Sequence, residues 1–347
     1  MNSDLAYLRA DVSRSLGLGH ISRAIAMGRI LERSGIRAVV FCRELDLGQA
    51  QAISKINANR DIVQEIVSEE QFISALERKE AKYVFFDLRE DCIYSDLVLY
   101  MKNISSDFHT VCFDSFFNEE LNFDLLVRPW FRTSAPVKNV LSGLKYTVFP
   151  NELIMLAPIK ETQNKVTRVL ITLGGSDPFC ASPSVLHALC GIYPALHFTV
   201  VVGPGFVPSE RKLLVSLARQ YSNIEYVLEP EHLGHLYMAS DFAIISGGQT
   251  KFETALFGIP SFIFGNSRQE EELSKEFALL GSSIFMGSAD QLDPIHLKEE
   301  FARLIVQSKR LDELSCKGRQ ILDIHGGERI IEFIKHRCDI RYFFFLY

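Results

Sequence analysis

The chain reads as an α/β protein built from two doubly wound domains in tandem. Three observations carry that reading. Short apolar runs alternate with amphipathic helical stretches through the first half. The alternation stops at a proline-bearing polar stretch and then restarts. And 347 residues, 47% hydrophobic and 23% charged, supply apolar surface for two cores of ordinary size.

In the first half the strand-like runs are "LAYLRA", "IRAVVFC", "YVFFDL", "FHTVCFD" and "FDLLVR". Helical periodicity falls between them, at Ile21–Arg33, Leu47–Asn59, Glu69–Lys79 and Cys92–Asn103. Strands separated by helices imply βαβ crossovers and a parallel sheet. Apolar runs without polar alternation fit strands covered on both faces.

The stretch "PNELIMLAPIKETQNK", Pro150 to Lys165, carries prolines and then a polar run, so it reads as a linker over 151–165. The domains are then 1–150 and 166–347, with the last helix packing back on the first domain. In the second, "RVLITL", "LHFTVVVG", "IEYVL", "FAIIS", "PSFIF" and "SSIFMG" read as strands. Helices are expected at Ser182–Gly191, Ser209–Tyr221, His232–Ala239, Thr250–Phe257, Glu270–Leu280 and Pro294–Ser308. Arg310–Asp323 and Glu328–Lys335 follow. The tail "RYFFFLY" reads as a docked strand in preference to a membrane anchor, with a surface or partner contact left open.

A net charge of -6 argues against a general nucleic-acid binder, which needs a basic face. The seven cysteines (Cys42, Cys92, Cys112, Cys180, Cys190, Cys316 and Cys338) form no CxxC pair and no zinc spacing. They read as reduced core thiols of a cytoplasmic protein. No charged-then-apolar leader opens the chain, and no run reaches the roughly 20 apolar residues of a membrane span.

Ligands of open parallel sheets sit beyond the carboxyl ends of the strands, so the strand-to-helix loops are the places to look. Two tandem domains are expected to face each other across a cleft, and three loops stand out. In "IISGGQTKFETALFGIP", a strand runs into Gly247 and Gly248, and a helix opens near Gln249 or Thr250. Glycines admit close approach, and the first helical amides are unpaired at the positive end of the dipole, a combination that binds phosphate. Glu253 lies one turn on from Thr250 and could accept from a ribose diol; the pair could equally be a capping box. In "ITLGGSDP", Gly174, Gly175 and Ser176 repeat the design, with Asp177 before Pro178 as a ligand-side residue or a turn cap.

The first loop, "SLGLGHISRAIAMGRILERSG", lacks the third glycine of a dinucleotide fingerprint. It delivers His20 to a helix N-terminus beside Gly17 and Gly19. That setting favours a neutral imidazole, suited to taking a proton from water or a hydroxyl, although a histidine there could merely cap the helix.

Together the loops resemble a known family. "RADVSRSLGLGHISRAIAMGRILERSG" carries an Arg-x-Asp strand end, a Gly-x-Gly-His loop and an arginine one turn later: Arg9, Asp11, Gly17, Gly19, His20 and Arg23. This is similar to the opening of the UDP-2,4-diacetamido-2,4,6-trideoxy-β-L-altropyranose hydrolases of pseudaminic acid biosynthesis, and "ITLGGSDP" and "GGQTKFETALFGIP" look like that family's later loops. The same segments resemble the N-acetylglucosaminyltransferase that completes the lipid-linked peptidoglycan precursor, whose Arg-Gln pair matches Arg268-Gln269.

Both groups have the GT-B architecture, and the resemblance implies a UDP-sugar substrate. It implies His20 as catalytic base, Gly247, Gly248, Gln249 and Thr250 around the diphosphate, Glu253 on ribose and Gln269 on the sugar. Asp11, Arg23, Gly174, Gly175 and Ser176 would contribute to the substrate site. Asp87 and Asp114, which end strands, would line the sugar pocket or cap those strands. Departures at Val12-Ser13, Ala24, Leu153 and Ala157 leave the sugar's identity open. No cofactor or metal is called for, since no carboxylate cluster or DxD pair appears in these loops. The implied activity is hydrolysis of a UDP-sugar; a glycosyltransferase and a non-catalytic nucleotide-sugar-binding protein are the alternatives.

Overall fold

The computed structural model describes residues 4–12, 18–44, 62–65, 68–88, 91–105, 107–113, 123–130, 139–160, 165–230 and 232–344. The chain divides into two compact units, one of residues 1–151 with 324–347 and one of residues 152–323.

In the first unit seven parallel strands stand in the order β3-β2-β1-β4-β5-β6-β7. They are β1 (Leu5–Val12), β2 (Arg37–Glu44), β3 (Val63–Glu65), β4 (Tyr83–Asp87), β5 (His109–Phe113), β6 (Leu125–Arg128) and β7 (Val140–Ser142). β1 is buried along its whole length, as a central parallel strand covered on both faces must be. Its side chains alternate between two cores. Ala6, Leu8 and Ala10 join Met27 and Ile30 of α1 (Gly19–Arg33). Leu5 and Tyr7 face the other way, into a run of edge-to-face rings: Tyr7–Phe41 at 5.0 Å, Phe41–Phe72 at 5.2 Å and Phe72–Phe86 at 6.2 Å. Phe72 belongs to α2 (Glu69–Glu77), and α3 (Asp91–Ile104) follows β4.

In the second unit six parallel strands stand in the order β10-β9-β8-β11-β12-β13. They are β8 (Arg168–Thr172), β9 (His197–Val202), β10 (Ile224–Leu228), β11 (Phe242–Ser246), β12 (Ser261–Gly265) and β13 (Ser283–Ser288). Its helices are α4 (Asn151–Leu156, begun in the first unit), α5 (Ala181–Leu189), α6 (Pro208–Gln220), α7 (Gly234–Ala239), α8 (Thr250–Leu256), α9 (Arg268–Ala278), α10 (Pro294–Ile305) and α11 (Ser308–Ile321). In each unit the order reverses beside the first strand, between β1 and β4 and between β8 and β11. Such a reversal splays the following loops apart and opens a crevice at the strand ends.

Four differences from the sequence reading have physical causes. β3 and β7 are three residues each, too short to show alternation. The segment expected as a linker starts with α4 and a 3-10 turn, Ala157–Ile159, because Leu153 and Ala157 bury an apolar side. Lys160 then fixes it to the second unit, donating to the carbonyl oxygens of Met238 at 3.0 Å and Ser240 at 2.8 Å. The last helix, α12 (Gly326–Phe344), runs into the tail expected as a strand as far as Phe344, since extending an anchored helix costs far less than starting one. And Cys180 and Cys316 are exposed, whereas Cys42, Cys112 and Cys190 are buried thiols. The helix expected at Leu47–Asn59 and the side chains of Cys92 and Cys338 lie outside the described residues. No helix among the described residues is long and apolar enough to cross a membrane.

α12 lies in the first unit. Ile330, Ile331 and Ile334 enter the core shared with Ile30, and Arg329 donates to the carbonyl of Lys145 at 2.8 Å. Ile330 is 0% exposed. Ile330→Ala is therefore expected to cost the first unit about 2–5 kcal/mol in denaturant unfolding. An unchanged midpoint would show that the helix does not contribute to that core.

Candidate functional site

His20 is the second residue of α1 and Asp87 the last residue of β4, so the strand reversal brings them together from 67 positions apart in sequence. His20 Nδ1 lies 2.6 Å from Asp87 Oδ1. Arg23, one turn along the same helix face, donates from Nε to Oδ2 and from Nη2 to Oδ1, both at 2.7 Å. Its guanidinium also sits 5.4 Å from the Phe113 ring centre. Asp87 is 2% exposed and Arg23 3%, whereas the His20 side chain keeps 18% of its surface. Burial alone would raise the Asp87 carboxyl; the charges and hydrogen bonds of Arg23 and His20 outweigh it and hold the group below its ordinary value.

An ionised Asp87 has no proton to give, so the bond to His20 requires hydrogen on Nδ1. In the neutral ring Nε2 then carries the lone pair, and among the described residues it has no partner. This is the orienting relation that a catalytic histidine needs: a carboxylate fixes the tautomer and aims the other nitrogen.

The other expected first-unit residues lie in different places. Asp11 accepts from Arg9 and, at 3.2 Å, from Arg43; Arg9 and Arg43 both reach Glu69 at the start of α2, at 3.0 and 3.7 Å. Arg9 is fully buried. Asp11 thus belongs to a four-membered ionic network between β1, β2 and α2, not to the His20 group. Arg23 has its guanidinium on Asp87. Gly19 is the first helical residue, and Gly17 and Asp114 lie outside the described residues.

In the second unit the two glycine loops adjoin at the reversal. Gly174 follows β8 with φ +97, which glycine adopts without strain, and a Cβ there would stand 3.6 Å from Ser246 Oγ at the end of β11. Asn266, after β12, ties the loops by donating from Nδ2 to the Leu173 carbonyl at 3.2 Å and from its amide to Glu270 at 3.0 Å. Gly247 abuts Ser274 and Glu270 of α9 so closely that no side chain fits, while the space beside Gly248 is open. Gln249 precedes α8 without a side-chain cap bond, and Thr250 opens the helix. Ser176 and Gln269 are half-buried, Gln269 in the first turn of α9.

Glu253 accepts from the Tyr237 hydroxyl at 2.5 Å through Oε2. No hydrogen bond to Oε1 is seen among the described residues. Burial raises the Glu253 carboxyl, the Tyr237 bond opposes it, and the charge of Glu152 adds to the rise. Tyr237 is pushed well above its ordinary value by burial and by Glu253.

The sequence did not single out Tyr237 or Lys251. Lys251 is buried and donates to the carbonyl of Gly247 and, at 3.2 Å, to that of Gly248. Its side-chain nitrogen thus engages the carbonyls of both loop glycines. A lysine in the first turn works against the helix dipole, and that conflict is the signal the sequence offered.

No protein-family model matches the chain. An uncharacterized protein of Methanocaldococcus jannaschii is 24% identical over 295 residues, a match that takes in 77% of this chain and spans only 57% of that relative's length. Among solved structures, MurG of Acinetobacter baumannii superposes with a TM-score of 0.63 at 15% identity, covering 96% of this chain and 99% of that one. The S. aureus MnaA–UDP complex gives 0.63 at 15% identity, with 97% of each chain covered. The UDP-GlcNAc 2-epimerase of Neisseria meningitidis, bound to UDP-GlcNAc, gives 0.61 at 14% identity over 96% and 100%. These likenesses establish the fold, the tandem Rossmann-like pair of GT-B proteins.

Arg23→Met leaves Asp87 buried without its cation and is expected to cost about 3–5 kcal/mol of stability near neutral pH. The sign with pH is fixed. The lowered Asp87 value means that its contribution is present above the unfolded carboxyl's pKa and lost as pH falls through the folded one. In the variant, burial raises the carboxyl instead, so the deficit shrinks in acid. Unfolding at neutral and acidic pH measures this; a deficit that grows in acid would contradict the assignment.

Proposed function

We propose that this chain is an enzyme that hydrolyses a UDP-sugar at the anomeric carbon, releasing UDP and a free amino-deoxy sugar for nonulosonic acid synthesis. The observation that carries the proposal is the 2.6 Å contact between His20 Nδ1 and Asp87, which leaves Nε2 as a base. In the reaction Nε2 takes a proton from water as the water oxygen bonds to the anomeric carbon. The bond from that carbon to the diphosphate oxygen breaks, and its electron pair leaves with UDP. Direct attack inverts the configuration.

The developing charge on UDP is met by the backbone amides of Gly247–Thr250, supplemented by Lys251. Glu253 accepts from the ribose diol through Oε1, Gly174, Gly175 and Ser176 border the diphosphate, and Gln269 contacts the sugar. Gly17 and Gly19 let the first loop approach the sugar. Arg23 acts through Asp87, and Asp11 through the ionic network that sets the end of β1. The likeness to the S. aureus MnaA–UDP complex and to the Neisseria meningitidis UDP-GlcNAc 2-epimerase bound to UDP-GlcNAc supports this choice of ligand.

A second reading is a glycosyltransferase, in which His20 deprotonates an acceptor hydroxyl. Arg268-Gln269, which resembles the Arg-Gln pair of the peptidoglycan N-acetylglucosaminyltransferase, favours it. Incubation with a panel of UDP-sugars, followed by NMR with and without glycan or lipid-linked acceptors, separates the two. Free sugar and UDP without acceptor are expected; UDP release that depends on acceptor would select the transferase.

His20→Ala and Asp87→Asn are each expected to lower turnover by about 10²–10⁴-fold. Full turnover in His20→Ala would remove the base. Because Glu253 protonates above the ordinary carboxyl range, and a protonated carboxyl loses acceptor capacity, UDP affinity should weaken on mild acidification. Glu253→Gln should flatten that dependence in calorimetric titrations; an unchanged acid dependence would remove the ribose assignment.

A further inference from the structure

One buried acid has no part in the proposed reaction. Glu210, in the first turn of α6, is 3% exposed, and neither of its oxygens meets a nitrogen or hydroxyl donor among the described residues. Its neighbours are acidic or spent. Asp177 and the thiol of Cys180 face it from the turn before α5. Arg211, beside it on α6, has its guanidinium on the carbonyls of Gly203, Pro204 and Phe206 and on Glu229, which follows β10. Burial, then the Asp177 bond and charge, push the Glu210 carboxyl up to about 9 against the weaker pull of Cys180 and Arg211. At neutral pH Glu210 therefore keeps its proton. That proton is a donor, and Asp177 is the acceptor beside it.

Asp177 is the keystone of its turn. Its carboxylate accepts from the amides of Ala181 at 2.9 Å and Ser182 at 2.7 Å. The turn it holds is left-handed at two non-glycine residues, Asp177 with φ 38 and Cys180 with φ 52. Such a backbone persists only where its surroundings over-determine it. The turn continues directly from Gly174–Ser176, whose Gly175 carbonyl accepts from the Gly205 amide at 2.9 Å, two residues beyond the Gly203 carbonyl held by Arg211.

We propose that Glu210 is a positioning residue: as a neutral carboxylic acid it donates its proton to Asp177 and so holds the Gly174–Ser176 loop in shape for the nucleotide. The choice of nucleotide rests on the UDP reading; the proton lock does not. Loss of the proton sets two carboxylates against each other in a dry site, so the lock opens in alkali. The linkage has one sign. A carboxyl raised in the folded state contributes fully below its unfolded pKa and progressively less as pH climbs through the folded value.

The test compares the full chain with Glu210→Gln, whose amide donates at every pH. Backbone hydrogen–deuterium exchange over residues 173–182, corrected for intrinsic rates, is followed from about pH 6 to about pH 10 without ligand. UDP affinity is titrated over the same range. In the wild type, protection should fall by about tenfold or more across the alkaline transition, and UDP affinity by a similar factor relative to the variant. Glu210→Gln should match the wild type at neutral pH and lack the transition. The uracil ring titrates identically for both proteins and cancels in the comparison.

A variant that loses protection at neutral pH, or shares the alkaline loss, overturns the lock. If exchange switches as described but UDP binds neither protein, the nucleotide assignment falls and the lock stands. Glu210→Ala, which cannot donate, should lose loop protection at every pH; retention of protection would also overturn the proposal.

Discussion

A single buried carboxylate, Asp87, organises the first unit's candidate site. It ends a central strand beside the point where strand order reverses, and it receives two side chains of one helix, His20 and Arg23. Without Arg23, an anion at this depth would be too costly to keep. With Arg23 on both oxygens, the ion pair returns much of its desolvation cost and gives little net stability. What the arrangement secures is geometry. The first turn of α1 is fixed to the end of β4, and the imidazole is left with one nitrogen engaged and one open.

The two units share a topology and differ in what they do with it. Each places its loops at a reversal beside its first strand, which is where a doubly wound sheet leaves room for a ligand. The first unit equips that position with an oriented imidazole. The second equips it with backbone: Gly174 in a left-handed conformation, Gly247 against α9, and an open space beside Gly248. Tyr237 holds one oxygen of Glu253, and Lys251 holds the loop carbonyls.

Most of the fold was legible because apolar periodicity is local. β8, β11 and the helices α6 and α10 follow from runs and spacings within a dozen residues. The three-residue strands β3 and β7 carry no period, and α4 was concealed by the prolines on either side of it. The site was legible only in part. His20 announced itself through its glycines. Its partner Asp87 looked like any strand end, because the contact spans 67 residues and depends on sheet order. Asp11 and Arg23 were singled out only through the family resemblance, and their partners were not: Arg43 and Glu69 come from other elements, and Asp87 lies 64 residues from Arg23. Glu210 gave no local sign, since its meaning comes from Asp177 across the fold.

The central claim is that Asp87 holds His20 as the Nδ1–H tautomer with Nε2 open. Nitrogen-15 NMR of the imidazole rings, with His20 assigned by substitution, tests it most directly. In the neutral ring Nε2 should show the shift of an unprotonated, pyridine-type nitrogen and Nδ1 that of a protonated one. Replacing Asp87 with asparagine, which can itself donate to Nδ1, should move the ring toward the opposite tautomer. A wild-type His20 protonated on Nε2 in its neutral form would contradict the account.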